Sequence, residues 1–123
     1  MGLIASSGMN GATPGPIGTG SPSTGRFTGL QAATVTKTAG YTATSSDFTI
    51  LCDATTAAFT VTLPAAASNP GRIYNVKKID ASANAVTIQG SAAETVDGSN
   101  TKAVTAQWQN VQLHSNGAAW FIL

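Results

Sequence analysis

From residue 32 onward apolar and polar side chains alternate in short runs. Alternate residues of a strand share a face, so this period of two predicts strands with one side toward a core. The run 33–37 (ATVTK) alternates. The run 47–53 (DFTILCD) puts Phe48, Ile50 and Cys52 on one face, and 58–64 (AFTVTLP) does the same with Phe59, Val61 and Leu63 before Pro64 ends it. A longer run, 69–80 (NPGRIYNVKKID), starts from a Pro70-Gly71 turn. NAVTIQG (84–90) and the short ETVDG (94–98), stopped at Asp97-Gly98, follow. KAVTAQWQNVQLHS (102–115) is one long strand or two short ones. Asn116-Gly117 is the strongest two-residue hairpin signal, and AAWFIL (118–123) closes the pattern. Helical periodicity is absent except for one turn at PAAAS (64–68). Turns every eight to twelve residues between such runs predict an all-β fold, a small antiparallel β-sandwich of jelly-roll-like form, over residues 32–123.

Two runs break the alternation. WFIL (120–123) sets Trp120, Phe121, Ile122 and Leu123 side by side. Such a run needs cover on both faces: from a neighbouring subunit, from the N-terminal residues 1–31, or from burial in a central strand. Lys77-Lys78 sends one ammonium to each face of its strand, which predicts a bulge or an edge position.

Residues 1–31 read differently. They hold eight of the 13 glycines, three of the five prolines and a single charge, Arg26. The glycines do not keep one register of three, which rejects a collagen triple helix. The prediction is an extended arm beaded with apolar residues, unlike a bare Gly/Ser linker. Leu3, Ile4, Met9, Ile17 and Phe27 are its candidate anchoring residues, with Pro14 and Pro16 stiffening the backbone between them.

Composition narrows the role. A domain of residues 32–123 is small and its stability margin thin, so support from outside the core is expected. The only cysteine, Cys52, makes no intrachain disulfide, and the only histidine, His114, makes no zinc-ligand pattern. Oligomerisation is the support that remains. Charged residues are 9% of the chain and the net charge is +1. A nucleic-acid partner calls for a basic face, which is missing. So sparse a charge fits a surface packed against other proteins or one outside the cell. No apolar run is long enough to span a membrane, and MGLIASSGMNGA lacks the basic region of a signal peptide.

The sequence offers little catalytic chemistry, and the expectation is a protein that is not an enzyme and uses no metal or cofactor. No nucleophile elbow surrounds a serine. Asp47 with Asp53 and Glu94 with Asp97 are the candidate carboxylate pairs, and both border turns, where such residues bond backbone. Tyr41, Tyr74 and Trp108 are candidate glycan-stacking aromatics. Trp108 and Trp120, with Phe121, Ile122 and Leu123, are equally candidates for the core or a subunit interface.

Residues 40–123 resemble a module of bacteriophage fibre and capsid-surface proteins. The resemblance rests on Leu63-Pro64, then Pro70-Gly71-Arg72-Ile73-Tyr74, Val76-Lys77-Lys78-Ile79, Thr95-Val96-Asp97-Gly98, and a closing Asn116-Gly117 with Trp120. It implies a homotrimeric β unit on a virion. A short chain with a beaded arm in place of a fibre shaft departs from the tail-fibre pattern. The expectation is therefore a capsid decoration (cement or head-fibre) protein on the outer capsid surface, with the major capsid protein and itself as partners. The alternative is a tail-fibre or tail-tip module that binds host-surface glycan.

Overall fold

A computed structural model of the chain describes residues 31–123. The expected arm and its residues, Leu3, Ile4, Met9, Pro14, Pro16, Ile17 and Phe27, lie outside the described residues. Among the described residues nine strands form: Thr34–Lys37 (β1), Tyr41–Thr42 (β2), Thr49–Cys52 (β3), Phe59–Thr62 (β4), Ile73–Lys78 (β5), Val86–Gln89 (β6), Thr101–Val104 (β7), Asn110–Ser115 (β8) and Trp120–Ile122 (β9). A short 3-10 turn at Ala66–Ser68 occupies the expected helical turn. The run 102–115 resolves into two strands, β7 and β8. The brief β2 escapes the sequence pattern because two residues show no period.

The all-β, two-sheet expectation holds, but its antiparallel pairing does not. The sheets are mixed, with orders β1-β3-β5-β8-β9 and β2-β4-β6-β7. Four of the seven ladders are parallel: β1 with β3, β3 with β5, β2 with β4, and β4 with β6. Only β5–β8, β6–β7 and β8–β9 are antiparallel. The cause is the order of travel. From β1 to β6 each strand is followed by one in the other sheet, so the chain returns to each sheet beside its previous strand and in the same direction. A jelly roll pairs hairpins; this chain coils, then closes with hairpins.

Alternation places the core as the sequence predicts. Ile50 and Cys52 of β3, Tyr74 and Val76 of β5, Leu113 of β8 and Trp120 of β9 meet Val61, Val86, Ile88 and Val104 of the other sheet in one buried cluster. Tyr74 and Trp120 pack with ring centroids 5.6 Å apart and their planes tilted by 46°. Burying each large apolar side chain contributes roughly 1.5–3 kcal/mol.

The turns explain the corners. Arg72 N–H bonds Asn69 O across Pro70-Gly71, with Gly71 at φ +78°, which is the proline-glycine order of a type II turn. Asp97 and Gly98 both have positive φ, and Val96 and Ser99 exchange backbone hydrogen bonds, the type I′ geometry of a tight hairpin. Asn116-Gly117 also marks a hairpin, but the loop runs from Asn116 to Ala119 and Asn116 Oδ1 accepts the Ala118 and Ala119 N–H groups.

Candidate functional site

The carboxylates show first what the chain does with its polar chemistry. It has five acidic residues, and each accepts a backbone N–H. Asp47 accepts Thr44 N–H, Asp53 accepts Thr55 N–H, and Asp80 accepts Ala54 and Ser82 N–H. Glu94 takes Ala66 N–H with both oxygens, and Asp97 takes Ile122 N–H. A chain that changes sheet at each step from β1 to β6 and then turns back in hairpins leaves donors at its corners, and a buried unpaired donor is costly. The candidate pairs Asp47/Asp53 and Glu94/Asp97 therefore hold corners together rather than face a common substrate.

The Lys77-Lys78 doublet is resolved in neither expected way. β5 is the middle strand of its sheet, and its register with β3 and β8 is unbroken. Lys77 points outward and donates to Trp108 O at 3.1 Å. Lys78 is fully buried and pairs with Asp80 at 2.6 Å. Asp80 also accepts the Ser82 hydroxyl and the Ala54 N–H. Burial opposes ionisation of Asp80, but the Lys78 ammonium and these donors prevail and hold its carboxyl well below the usual range. Cys52, paired in register with Lys78, is buried, and burial pushes its thiol up to about 12, with the Asp80 charge adding to the shift. Sequence reasoning missed this cluster; its only signal was an aspartate two residues after the second lysine.

The candidate glycan aromatics do not form one site. Tyr74 is fully buried, and its hydroxyl donates to Thr44 O, so the expectation that it meets a sugar is corrected. Its place in β5 gives it the inward parity of Val76. Tyr41 is half-buried; its hydroxyl donates to Asp47 at 2.6 Å and the Lys37 ammonium lies 4.0 Å from its ring centroid. The Asp47 carboxylate raises the Tyr41 phenol, while Asp47 itself is lowered: burial works against it, and the Tyr41 and Thr44 donors outweigh burial. An open depression of about 290 Å³ beside this cluster is lined by Phe48, Gly71, Arg72 and Ile73. The Arg72 guanidinium is committed there, donating to Asp47 O and lying 4.8 Å from the Tyr74 ring centroid.

The interface candidates separate by face. Trp120 is core. Phe121 is 41% exposed, Ile122 packs partly on the core, and Leu123 is 68% exposed. β9 is an edge strand, not a buried central one, so alternation persists through WFIL and the outward residues are uncovered by the described residues. The backbone edge of β9 is shielded: Trp120 N–H bonds Thr95 O, and Asp97 N–H bonds Trp120 O. Phe121 pairs with His114, and His114 with Ile73, giving one outward row across β9, β8 and β5. The next row inward along the sheet holds Thr49, Asn75 and Gln112. His114 thus stands between two apolar residues of the outer face, with no acid or serine paired to it in that row.

Trp108 lies apart, 60% exposed on the turn between β7 and β8. Among the described residues no three His, Cys, Asp or Glu side chains gather as a metal site, and no helix is long and apolar enough to cross a membrane. Comparison with protein-family models and with curated proteins finds no match to this chain.

Proposed function

We propose that the protein is a non-catalytic structural component of a phage virion. In this reading it is a capsid decoration protein, cement or head-fibre in type. It would be held to the major capsid protein by residues 1–31 and would display residues 32–123 as a homotrimer on the outer capsid surface. The observation that carries this reading is the outer face of the five-stranded sheet. It exposes Phe121 and Leu123 beside Ile73, Asn75, Gln112 and Thr49, with Lys77 as the lone charge on these strands' outward rows. A nearly uncharged sheet face with exposed apolar groups fits association with copies of itself. The phage-module resemblance of residues 40–123 and the use of every carboxylate in corner bonds support the same reading.

Gly and Pro in residues 1–31 suit a segment that follows a partner's surface, with Leu3, Ile4, Met9, Ile17 and Phe27 filling apolar pockets. Ordering such a segment costs roughly 1–2 kcal/mol per residue, so the buried contacts must exceed that. Three copies on one trimer add avidity. Deleting residues 2–25 is expected to abolish binding to undecorated capsids; unchanged binding overturns the anchoring. Sedimentation at micromolar concentration is expected to show a trimer that Phe121→Lys dissociates. A wild-type monomer rejects the self-association.

A further inference from the structure

The outward positions of the five-stranded sheet carry ionisable groups of one sign. On β1, β3, β5, β8 and β9 they hold one lysine, Lys77, one histidine, His114, and no carboxylate. Histidine is the side chain whose ordinary charge change falls between about pH 5 and 8, and His114 is the only one in the chain. It is half-buried, between Ile73 of β5 and Phe121 of β9 in one cross-strand row. The depression lined by Phe48, Gly71, Arg72 and Ile73 shares Ile73 with that row, so apolar surface extends past the imidazole on the β5 side.

The charged groups around β8 leave an imidazolium without a partner. On β5, Lys77 pairs with Asn110, at the opposite end of β8 from His114, and donates to Trp108 O. Arg72, just before Ile73, is itself a cation and donates to Asp47 O. The Asp47 carboxylate is taken by the Tyr41 hydroxyl and by the Thr44 N–H and hydroxyl. β9 carries no charge, and Asp97, on the segment that shields its edge, accepts Ile122 N–H. Ser115 of β8 donates to Ala66 O on the 3-10 turn, whose acid, Glu94, is bound to Ala66 N–H. On the inward side, Lys78 and Asp80 satisfy each other.

We infer that His114 is a pH switch on association between copies of this chain: the neutral ring is covered together with Ile73 and Phe121, and its protonation separates the copies. This rests on the self-association reading above and names what regulates that face. Copies that meet through this face offer each other Lys77 and His114 and no carboxylate. Covering an unpaired imidazolium costs more than covering the neutral ring. The separated chain therefore takes up the proton more readily than the assembly, and falling pH favours the separated chain by linkage.

Sedimentation velocity of the full chain at micromolar concentration and constant ionic strength, at about pH 8 and about pH 5, brackets the histidine range. Wild type is expected to be a trimer at the higher pH and a monomer at the lower. Its near-ultraviolet circular dichroism is expected to be the same at both, because carboxylates keep their charge down to about pH 4. His114→Gln, neutral throughout, is expected to remain a trimer at both, and His114→Lys to be a monomer at both. A wild-type trimer at both pH values overturns the switch and leaves the self-association reading standing; a wild-type monomer at the higher pH overturns both. Acid dissociation that His114→Gln shares, or that comes with loss of the near-ultraviolet signal, overturns the switch, as does a trimeric His114→Lys.

Discussion

Gly90 gives the sharpest test of how the corners are built. It is buried at the end of β6, and a Cβ added there would stand 2.6 Å from Glu94 O and 2.9 Å from Glu94 C. These are backbone atoms, so no rotamer change relieves the contact. Restoring ordinary separation requires the Ser91–Glu94 loop to move by about 0.7 Å or more. That loop is already constrained by the bond from Glu94 N–H to Ser91 O and by Ala92 at φ +53°. It also carries the carboxylate that receives Ala66 N–H at 2.9 and 3.0 Å. Overpacking costs about 1–3 kcal/mol, and loosening a hydrogen bond to a charged acceptor adds about 1.5–3 kcal/mol if it is lost. Alanine returns about 0.4–1 kcal/mol by restricting the unfolded chain. Gly90→Ala should therefore lose about 2–3 kcal/mol, a large part of a small domain's stability. Gly40→Ala is the matched control: its Cβ would lie 3.8 Å from Thr60 O, an ordinary contact, and it should be neutral or slightly stabilising. Urea unfolding with an unchanged m-value measures both. A loss at Gly90 below about 0.5 kcal/mol, within the range of surface substitutions, would refute the close-approach account.

Asp80→Ala should lower the melting temperature more than Lys78→Met, because it strands a fully buried ammonium, whereas Asp80 without Lys78 keeps the Ala54 and Ser82 donors; the reverse order in thermal unfolding would reject this. Asp80 and Asp47 both have lowered pKa values in the fold. Their contribution is thus complete above the unfolded carboxyl value, about 3.9, and is lost as pH falls below it. Urea midpoints should be flat near neutrality and drop below about pH 4, and a midpoint rising on acidification contradicts the assignment. Cys52 should resist iodoacetamide in the native state and react only at the rate of unfolding, since burial suppresses its thiolate; fast native labelling by mass spectrometry would show the core to be open. Trp108→Gly should be more stable than Trp108→Ala by about 1 kcal/mol, the cost of an L-residue in the left-handed region, and equal unfolding midpoints would dismiss the strain.

The capsid reading places function on surfaces rather than in a catalytic cleft. Sequence reasoning approached them unevenly. Trp108 was a candidate from its residue type, but the fastening of its turn to Lys77, Lys78 and Ile79 depends on residues distant in sequence. Tyr74 looked equivalent to Trp108 until its position in β5 placed it inward.

Alternation and turn chemistry alone located every strand but β2, assigned inward residues such as Ile50, Val61 and Leu63, and marked the Pro70-Gly71 and Asp97-Gly98 corners. These are local properties: a strand's period fixes which way each side chain points, and a turn residue's allowed φ fixes where the chain reverses. The period carries no information about which strand lies alongside. That β3 pairs in parallel with β5, that Lys78 enters the core to meet Asp80, and that five carboxylates close the corners were decided only by the tertiary structure. Neighbours across a sheet are chosen by how the whole chain wraps and by which buried donors, acceptors and charges must find one another once it has.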